Sequence, residues 1–563
     1  MAKPPERSGF DSVFIADFAG INEDETPDRL AQNELVRGFN VARFGSAFGT
    51  RPGCGRELAA TGNYSAALPG AVSVQGLVEY SRPFAASVRM AGTQLASSLI
   101  AISNGKVYSD SATEITKDAA VQISTPGAGI NAWTFAQHKN VLYMAGGQDT
   151  DTVNRWTGAG VVERVTFRNG SGTDIDAKYI FQKWNYGFLG GMNGATADDN
   201  PMVVRYSALG DMTSWPAGNT VGGSSSIGGF DAFGDNWVTG FGEFTDNDGD
   251  WLLCLTRRQI YGILRNDNPY APFRVNSAGF VGSAGCVSQR AFVSLGVDYG
   301  DAIYLSDRGI HSLRQSQQFG GREDKFLSWK IRKTFEDTTK LSLQNACGGY
   351  WPNEGIVLFA IPYLGGTTNS LILCLDLRGT SELNSDTARW YTWRLSGQTI
   401  ASMTLARDTS GNERIYFGTN DGSVARFSRA SYSDLGAAYG VRFTTKDDDF
   451  GKTDVVKGFG DIYTAMRPGG QYKPQMTLYY DRGSRRSEPY DIEMPISVSA
   501  WNSAVWGSGV WSEANQIITD KHYGDGLGYT LSLDFQHSGL NEPFFVTKLS
   551  YQVSLEGESE VDV

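Results

Sequence analysis

Between about residue 70 and about residue 435 one short pattern recurs, and this repetition restricts the fold more than any other feature. A short apolar strand carrying an aromatic runs into a Gly/Asn/Asp turn, and a second alternating strand follows. The instances are LIAISNGKVYSD (99–110), NVLYMAGGQDTDTVNRW (140–156), WNYGFLGG (184–191), WLLCLTRRQIYGIL (251–264), DAIYLSDRGIHSL (301–313), EGIVLFAIPYLGG (354–366) and RIYFGTNDGSVARF (414–427). The pairs Asn104-Gly105, Arg308-Gly309 and Asp421-Gly422 stand between strands, where primed turns match strand twist. Tyr108 and Tyr143 are 35 positions apart, and Tyr261 and Tyr304 are 43 apart. A period of roughly 35–55 residues with several strands per unit is what propeller blades require. The expectation is a β-propeller of about six or seven irregular blades over residues 61–435. No Trp-Asp or kelch-like signature recurs at fixed offsets, so a stack of β-sandwich modules is the competing arrangement.

Composition agrees with an all-β chain. There are 68 Gly, aromatics make up 12% and hydrophobic residues 40% of 563 residues, enough for two or three cored domains. Residues 1–60 read as an extended arm with the first strands, interrupted by Pro4, Pro5, Pro27 and Pro52 and closed by Thr50-Arg51-Pro52-Gly53. Past residue 436 the texture changes. KDDDFGKTD (446–454) reads as a linker or edge; GFGDIYTAM, PQMTLYYDRG, YTLSLDFQHSG and FFVTKLSYQVSL then alternate at period two. This predicts a C-terminal antiparallel β-sandwich over residues 436–563.

The net charge of −12, from 49 basic and 61 acidic residues, argues against a sequence-independent nucleic-acid binder, which needs cations to displace counterions from phosphate. It suits solubility, and a weakly acidic ring would let DNA slide past without sticking. The five cysteines, Cys54, Cys254, Cys286, Cys347 and Cys374, are widely spaced without a C-x-x-C pair, so neither a disulfide framework nor a zinc site is indicated. Assembly in a reducing cytoplasm fits. The N-terminus has no apolar stretch of signal-peptide length, and no run approaches the roughly 18 apolar residues of a membrane helix.

Few residues nominate chemistry. The hydrolase, zincin, P-loop and dinucleotide motifs are missing from the sequence. His138, His311, His522 and His537 each lie in or beside a predicted hairpin, where a surface or turn role is expected. Gly524–Gly528 resembles a phosphate loop but precedes a strand, without the helix N-terminus that receives an anion. Thr245-Asp246-Asn247-Asp248-Gly249-Asp250 has oxygen ligands for a hard cation at residues 246–250, yet lacks the distal bidentate Glu and falls where a hairpin turn is expected. Asp447-Asp448-Asp449 reads as a solvated edge that resists strand pairing. Trp501, Trp506 and Trp511 recur every five positions in a Gly/Ser-rich loop. Packing in the core or an interface is the first reading for them, and stacking on sugars the second. Paired acids for glycoside hydrolysis would need two carboxylates across a cleft, and no pair stands out. The expectation is a non-enzymatic protein without cofactor or metal.

NELVRGFNVARFGSAFGTRPG, VVRYSALGDMTSWPA (203–217), CLTRRQIYGILRNDNPYAPFRV with Gly279 and Gly282, and HSGLNEPFFVTKLSYQVSLEGE fall in order along the chain. Together they resemble β-propeller virion proteins of tailed phages, most closely the nozzle (tail tube) proteins of short-tailed phages. The resemblance implies a structural component of the virion tail, assembled in the bacterial host cytoplasm. It implies six copies in a ring below the portal and adaptor, which extends the DNA channel, retains the genome and anchors tail fibres. DNA would pass without specific binding. The chain is shorter than the larger nozzles, which leaves distal gate-like insertions in question. A different hub or baseplate part, a receptor- or glycan-binding module and a propeller glycosidase are the alternatives.

Overall fold

The fold is a seven-bladed β-propeller with a two-sheet sandwich fused to it. In the computed structural model the described residues are 11–56, 64, 66–81, 97–110, 113–125, 132–146, 151–168, 174–192, 200–215, 225–227, 237–246, 249–268, 270–282, 284–315, 322–380, 383–408, 411–467, 470, 472–494, 517–524 and 526–555.

Five consecutive four-stranded antiparallel sheets begin with the strands Val74–Ser81, Trp133–His138, Ala177–Lys183, Val238–Asp246 and Phe292–Ser294. A sixth blade consists of Cys347–Trp351, Ile356–Pro362, Asn369–Asp376 and Arg389–Trp393. The seventh runs through Ile400–Arg407, Glu413–Thr419 and Val424–Ser428. The first strand of each blade lies against the first strand of the next, and the seventh returns to the first, which makes these seven the inner ring. Their starting positions put most blades at or beyond the upper end of the expected spacing.

Each of the seven quoted sequence segments falls on the middle strands of a different blade. Asn104 (φ 50°) and Gly105 (φ 69°) form the primed turn expected of them. The other two turns differ. Arg308 and Asp421 keep negative φ, and the loops are instead closed by side chains: Ser306 Oγ accepts from the Gly309 N–H (3.1 Å) and Thr419 Oγ1 from the Ser423 N–H (3.1 Å).

Blades pack closely because glycines on inner strands let a neighbour approach. A Cβ on Gly76 would lie 2.8 Å from the Cβ of Trp133 in the next blade, and one on Gly242 would lie 2.7 Å from the Phe292 ring.

The N-terminal segment is built into both domains. Among the described residues it forms Asp11–Ile15, Gly20–Ile21, Glu34–Phe39, Val41–Phe44, Ala47–Thr50 and Gly53–Gly55. The last of these pairs antiparallel with Val424–Ser428, supplying the fourth strand of blade seven and closing the ring. Glu34–Phe39 joins Val441–Thr445, Leu531–His537 and Gln475–Tyr480 in one sandwich sheet. Asp11–Ile15 and Ala47–Thr50 both pair with Phe545–Leu555 in the other, beside Lys457–Arg467. One apolar core runs from this sandwich (Leu35, Phe48, Phe443, Phe535, Leu549) into blades six and seven (Trp351, Cys374, Trp393, Phe417). The predicted C-terminal sandwich is therefore completed by residues from the other end of the chain.

KDDDFGKTD is a seam, not a solvated edge. Asp447 and Asp448 are 2% and 3% exposed. Asp448 accepts from Gln32 Nε2 (2.6 Å) and from the Tyr551 hydroxyl (2.9 Å), tying the two ends of the chain together. Short-range charge density suggested solvent; partners about 400 and 100 positions away supply the donors instead. All five cysteines are buried free thiols, and burial pushes Cys347 up to about 11 and Cys286 to about 12, so they act as small core residues. No described helix is long and apolar enough to cross a membrane.

Candidate functional site

Two places concentrate buried polar chemistry, the axis of the propeller and its junction with the sandwich. At the axis, a cavity of about 330 Å³ is bounded by inner strands of five blades, through residues such as Leu77, Phe135, Val293, Gly349 and Met403. Gln289 and Arg290 enter it from the short turn Gln289–Ala291, whose start is capped by Ser288 Oγ accepting from the Arg290 N–H. Gln289 staples three blades: its Nε2 donates to Ile180 O (3.1 Å) and its Oε1 accepts from the Phe241 N–H (3.2 Å). Gly240 makes this possible, since a Cβ there would lie 2.3 Å from the Gln289 Cβ.

Arg290 donates through Nη1 to Ala401 O (2.7 Å) and through Nη2 to Asn345 O (3.1 Å). Its Nε is inaccessible and has no protein partner. Burial draws the guanidinium below its ordinary value, and the groups opposing that are Cys347 and Tyr179 rather than a carboxylate. The described lining of the cavity contains no Asp or Glu. A pair of acids flanking a bond, as glycoside hydrolysis needs, is not formed there.

At the junction, where Arg51 and Pro52 carry the chain from the sandwich strand Ala47–Thr50 to Gly53–Gly55 of blade seven rather than forming the expected turn, Arg51 is fully buried against Asp434, with Nη2 to Oδ2 at 2.6 Å and Nη1 to Oδ1 at 3.0 Å. Nε donates to Asn40 Oδ1 (3.0 Å), Nη2 to Arg394 O (2.9 Å), and the Tyr439 ring lies 3.9 Å from the guanidinium carbon. Burial, the largest single influence, works against this charge, but Asp434, Tyr439 and Cys54 together hold the guanidinium above its ordinary value. Next to it, the Thr50 N–H donates to Phe544 O (3.0 Å) and Thr50 Oγ1 accepts from the Phe544 N–H (3.0 Å).

The residues singled out by sequence are scattered. Trp501, Trp506 and Trp511 lie outside the described residues. Within 246–250, Asn247 and Asp248 are also outside them; the flanking strands Val238–Asp246 and Gly249–Thr256 pair antiparallel. Asp250 there accepts from Lys183 Nζ (2.7 Å), Trp184 Nε1 (3.1 Å) and Thr245 Oγ1 (3.0 Å), so an ammonium group already meets the carboxylate nominated for a cation. Among the described residues no cluster of three metal-ligating side chains is present. His138, His311 and His522 are buried rather than at the surface, and His537 pairs with Glu542 at 2.7 Å. His311 meets Ser306 Oγ at 2.9 Å beside a second cavity of about 690 Å³. That hydroxyl is 2% exposed and occupied by its own turn, accepting from Arg308 and Gly309 N–H groups and donating to Gly309 O, so it is no nucleophile. Residues 207–215, within VVRYSALGDMTSWPA, are likewise folded into a turn. Asp211 accepts from the Thr213 N–H (2.9 Å), Gly210 has φ 76°, and buried Trp215 donates to Met212 O (2.6 Å). Sequence reasoning passed over Arg290, because only ring closure brings its turn to the axis.

No protein-family model matches the chain, and no curated protein matches it in sequence. Solved structures similar to it include the exo-β-1,3-galactanase of Phanerochaete chrysosporium (11% identity, 78% of this chain and 98% of that one, TM-score 0.25). A putative 6-phosphogluconolactonase from Bacteroides uniformis is similar over 60% of this chain and 93% of its own, at 9% identity and TM-score 0.31. The N-terminal domain of Nup159 is similar over 70% and 99%, at 13% identity and TM-score 0.31. At these scores the likeness extends no function to this chain.

Proposed function

We propose that the chain is an architectural subunit of a bacteriophage tail, a nozzle-type ring component that extends the DNA channel, retains the genome and anchors fibres. One observation carries the reading. The two segments that most resemble phage virion proteins, the Thr50-Arg51-Pro52-Gly53 stretch and the closing HSGLNEPFF segment, lie at opposite ends of the sequence and are hydrogen-bonded to each other through Thr50 and Phe544. The motifs thus serve the joint that welds propeller to sandwich, as expected where rigidity is the product. A third resembling segment acts similarly: Arg257 grips Asp307 of the next blade through Nε (2.7 Å) and Nη2 (3.0 Å). Closed rings of such bodies follow from head-to-tail contacts, with interfaces above roughly 2,000 Å² expected for an obligate assembly.

Cryo-electron microscopy of assembled particles tests the proposal. Several copies in a closed ring on the tail axis are expected; a single copy, or a position off the tail, contradicts it. Incubation with host surface polysaccharide is expected to release no reducing ends. Release that scales with protein concentration would favour the glycosidase reading instead.

A further inference from the structure

We propose that Lys330 and Asn22 become joined by an autocatalytic amide bond, formed with loss of ammonia under the action of the Glu34 carboxylate. The proposal does not rest on the tail assignment.

The N-terminal segment meets the propeller at the turn Ser328–Ile331, between blades five and six. Glu23 and Asp24 clamp it there. The Glu23 N–H donates to Lys330 O (2.6 Å), and the Glu23 carboxylate accepts from the Thr334 N–H (2.8 Å) and hydroxyl (2.6 Å). Asp24 accepts from Trp329 Nε1 (2.6 Å). Beside this clamp one carboxylate lies between an amine and an amide. Glu34 Oε1 is 2.9 Å from Lys330 Nζ, while Oε2 accepts from Asn22 Nδ2 (3.0 Å) and from the Ala31 N–H (3.0 Å). Asn22 and Glu34 are both buried, and Lys330 Nζ also donates to Asp386 O (2.6 Å). The flanking residues Ile21, Leu327 and Ile331 belong with Trp390 to one apolar core.

Every role that amide transfer requires has an occupant. Burial acts most strongly on Glu34 and favours its neutral form, but hydrogen bonds from Lys330, Asn22 and Ala31 together hold it below its ordinary value, so it starts as a base. Glu34 Oε1 takes a proton from the Lys330 ammonium, and the freed lone pair attacks Asn22 Cγ. Asn22 Oδ1 accepts from the Asp24 N–H (3.2 Å), a donor already in place for the oxyanion of the tetrahedral intermediate. Glu34 Oε2 then gives its proton to Nδ2 while Oε1 receives a second one from Nζ. The Cγ–Nδ2 bond breaks, its electron pair leaves with ammonia, and the new amide nitrogen keeps one hydrogen. Glu34 ends as a neutral acid, so a buried ion pair is replaced by uncharged groups. Nothing is oxidised or reduced. Holding amine and amide on one carboxylate turns a bimolecular encounter into an intramolecular step.

Mass spectrometry of the unaltered full chain, digested with trypsin after denaturation, tests the bond. No cleavage after Lys330 is expected, and a branched peptide should join residues 8–29 to residues 326–332. It should weigh about 17 Da less than its two parts together, the mass of one ammonia. Cleavage after Lys330, with residues 8–29 recovered as a linear peptide at their sequence mass, overturns the proposal. Glu34→Gln keeps the size of the side chain but not the base, and should lower the branched yield roughly tenfold or more. Lys330→Arg should abolish it. A branched peptide undiminished in Glu34→Gln overturns the mechanism. Should neither variant fold, the digest of the unaltered chain decides alone.

Discussion

Arg51 is fully buried and Arg290 partly so, and the molecule treats the two oppositely. Arg51, at the seam between sandwich and propeller, meets a bidentate carboxylate, an amide oxygen, carbonyls and an aromatic face. Arg290, at the axis, meets two carbonyls and keeps its charge uncompensated. Full satisfaction marks a place where the fold is locked. The seam joins residues from both ends of the sequence, whereas the axis is assembled from short inner strands that hold one another by shape.

Predictions that break or sharpen this contrast run from global to slight. A chain starting after residue 56 loses six described strands, the closing strand of blade seven and Arg51 itself. It should forfeit cooperative unfolding altogether, a loss on the order of 10 kcal/mol. A sharp thermal transition near that of the full chain would show the seam to be dispensable. Arg51→Met strands the buried Asp434 carboxylate, and a loss of about 3–5 kcal/mol is expected in urea denaturation. A loss under about 1 kcal/mol would mean that the seam's charges contribute little.

Asp301 offers a third case, a buried carboxylate held by Ser312 Oγ (2.5 Å) and the Ala302 N–H (2.7 Å) rather than by an ion pair. Burial pushes it up to about 6 from 3.8, with the Ser312 and Ala302 hydrogen bonds opposing the shift. The folded state thus holds its proton more tightly than the unfolded chain. The group costs nothing below about pH 4, the cost grows as pH rises through 6, and it is complete above that. Asp301→Asn should therefore stabilise by about 1–3 kcal/mol at pH 7.5 and by much less at pH 4. A difference independent of pH would contradict this. Arg290→Met should be the mildest change, within about 1 kcal/mol, because no partner charge is orphaned. A loss as large as that of Arg51→Met would erase the contrast.

Much of the propeller was legible in sequence, because a blade's middle hairpin is a local object. Asn104-Gly105 and the alternation around it specify a turn and register without help from elsewhere. Outer strands were harder: Glu163–Arg164, the fourth strand of blade two, is two residues long and carries no period. The ring closure was not legible at all. Gly53–Gly55 pairs with Val424–Ser428, and nothing near Gly53 announces a partner so distant in sequence. The same holds for Asp448, in a run of charge that looks solvated until Gln32 and Tyr551 arrive from the two ends. Arg290 was invisible for the related reason that a lone arginine after a serine and a glutamine acquires meaning only once ring closure brings inner strands of five blades around it.

The architectural account is tested most directly by the native mass of this protein released from gently disrupted particles, read by mass photometry before and after brief cross-linking. The account predicts one discrete species at a fixed multiple of the single-chain mass, unchanged by added polysaccharide. A population of single chains that cross-linking fails to join would contradict it.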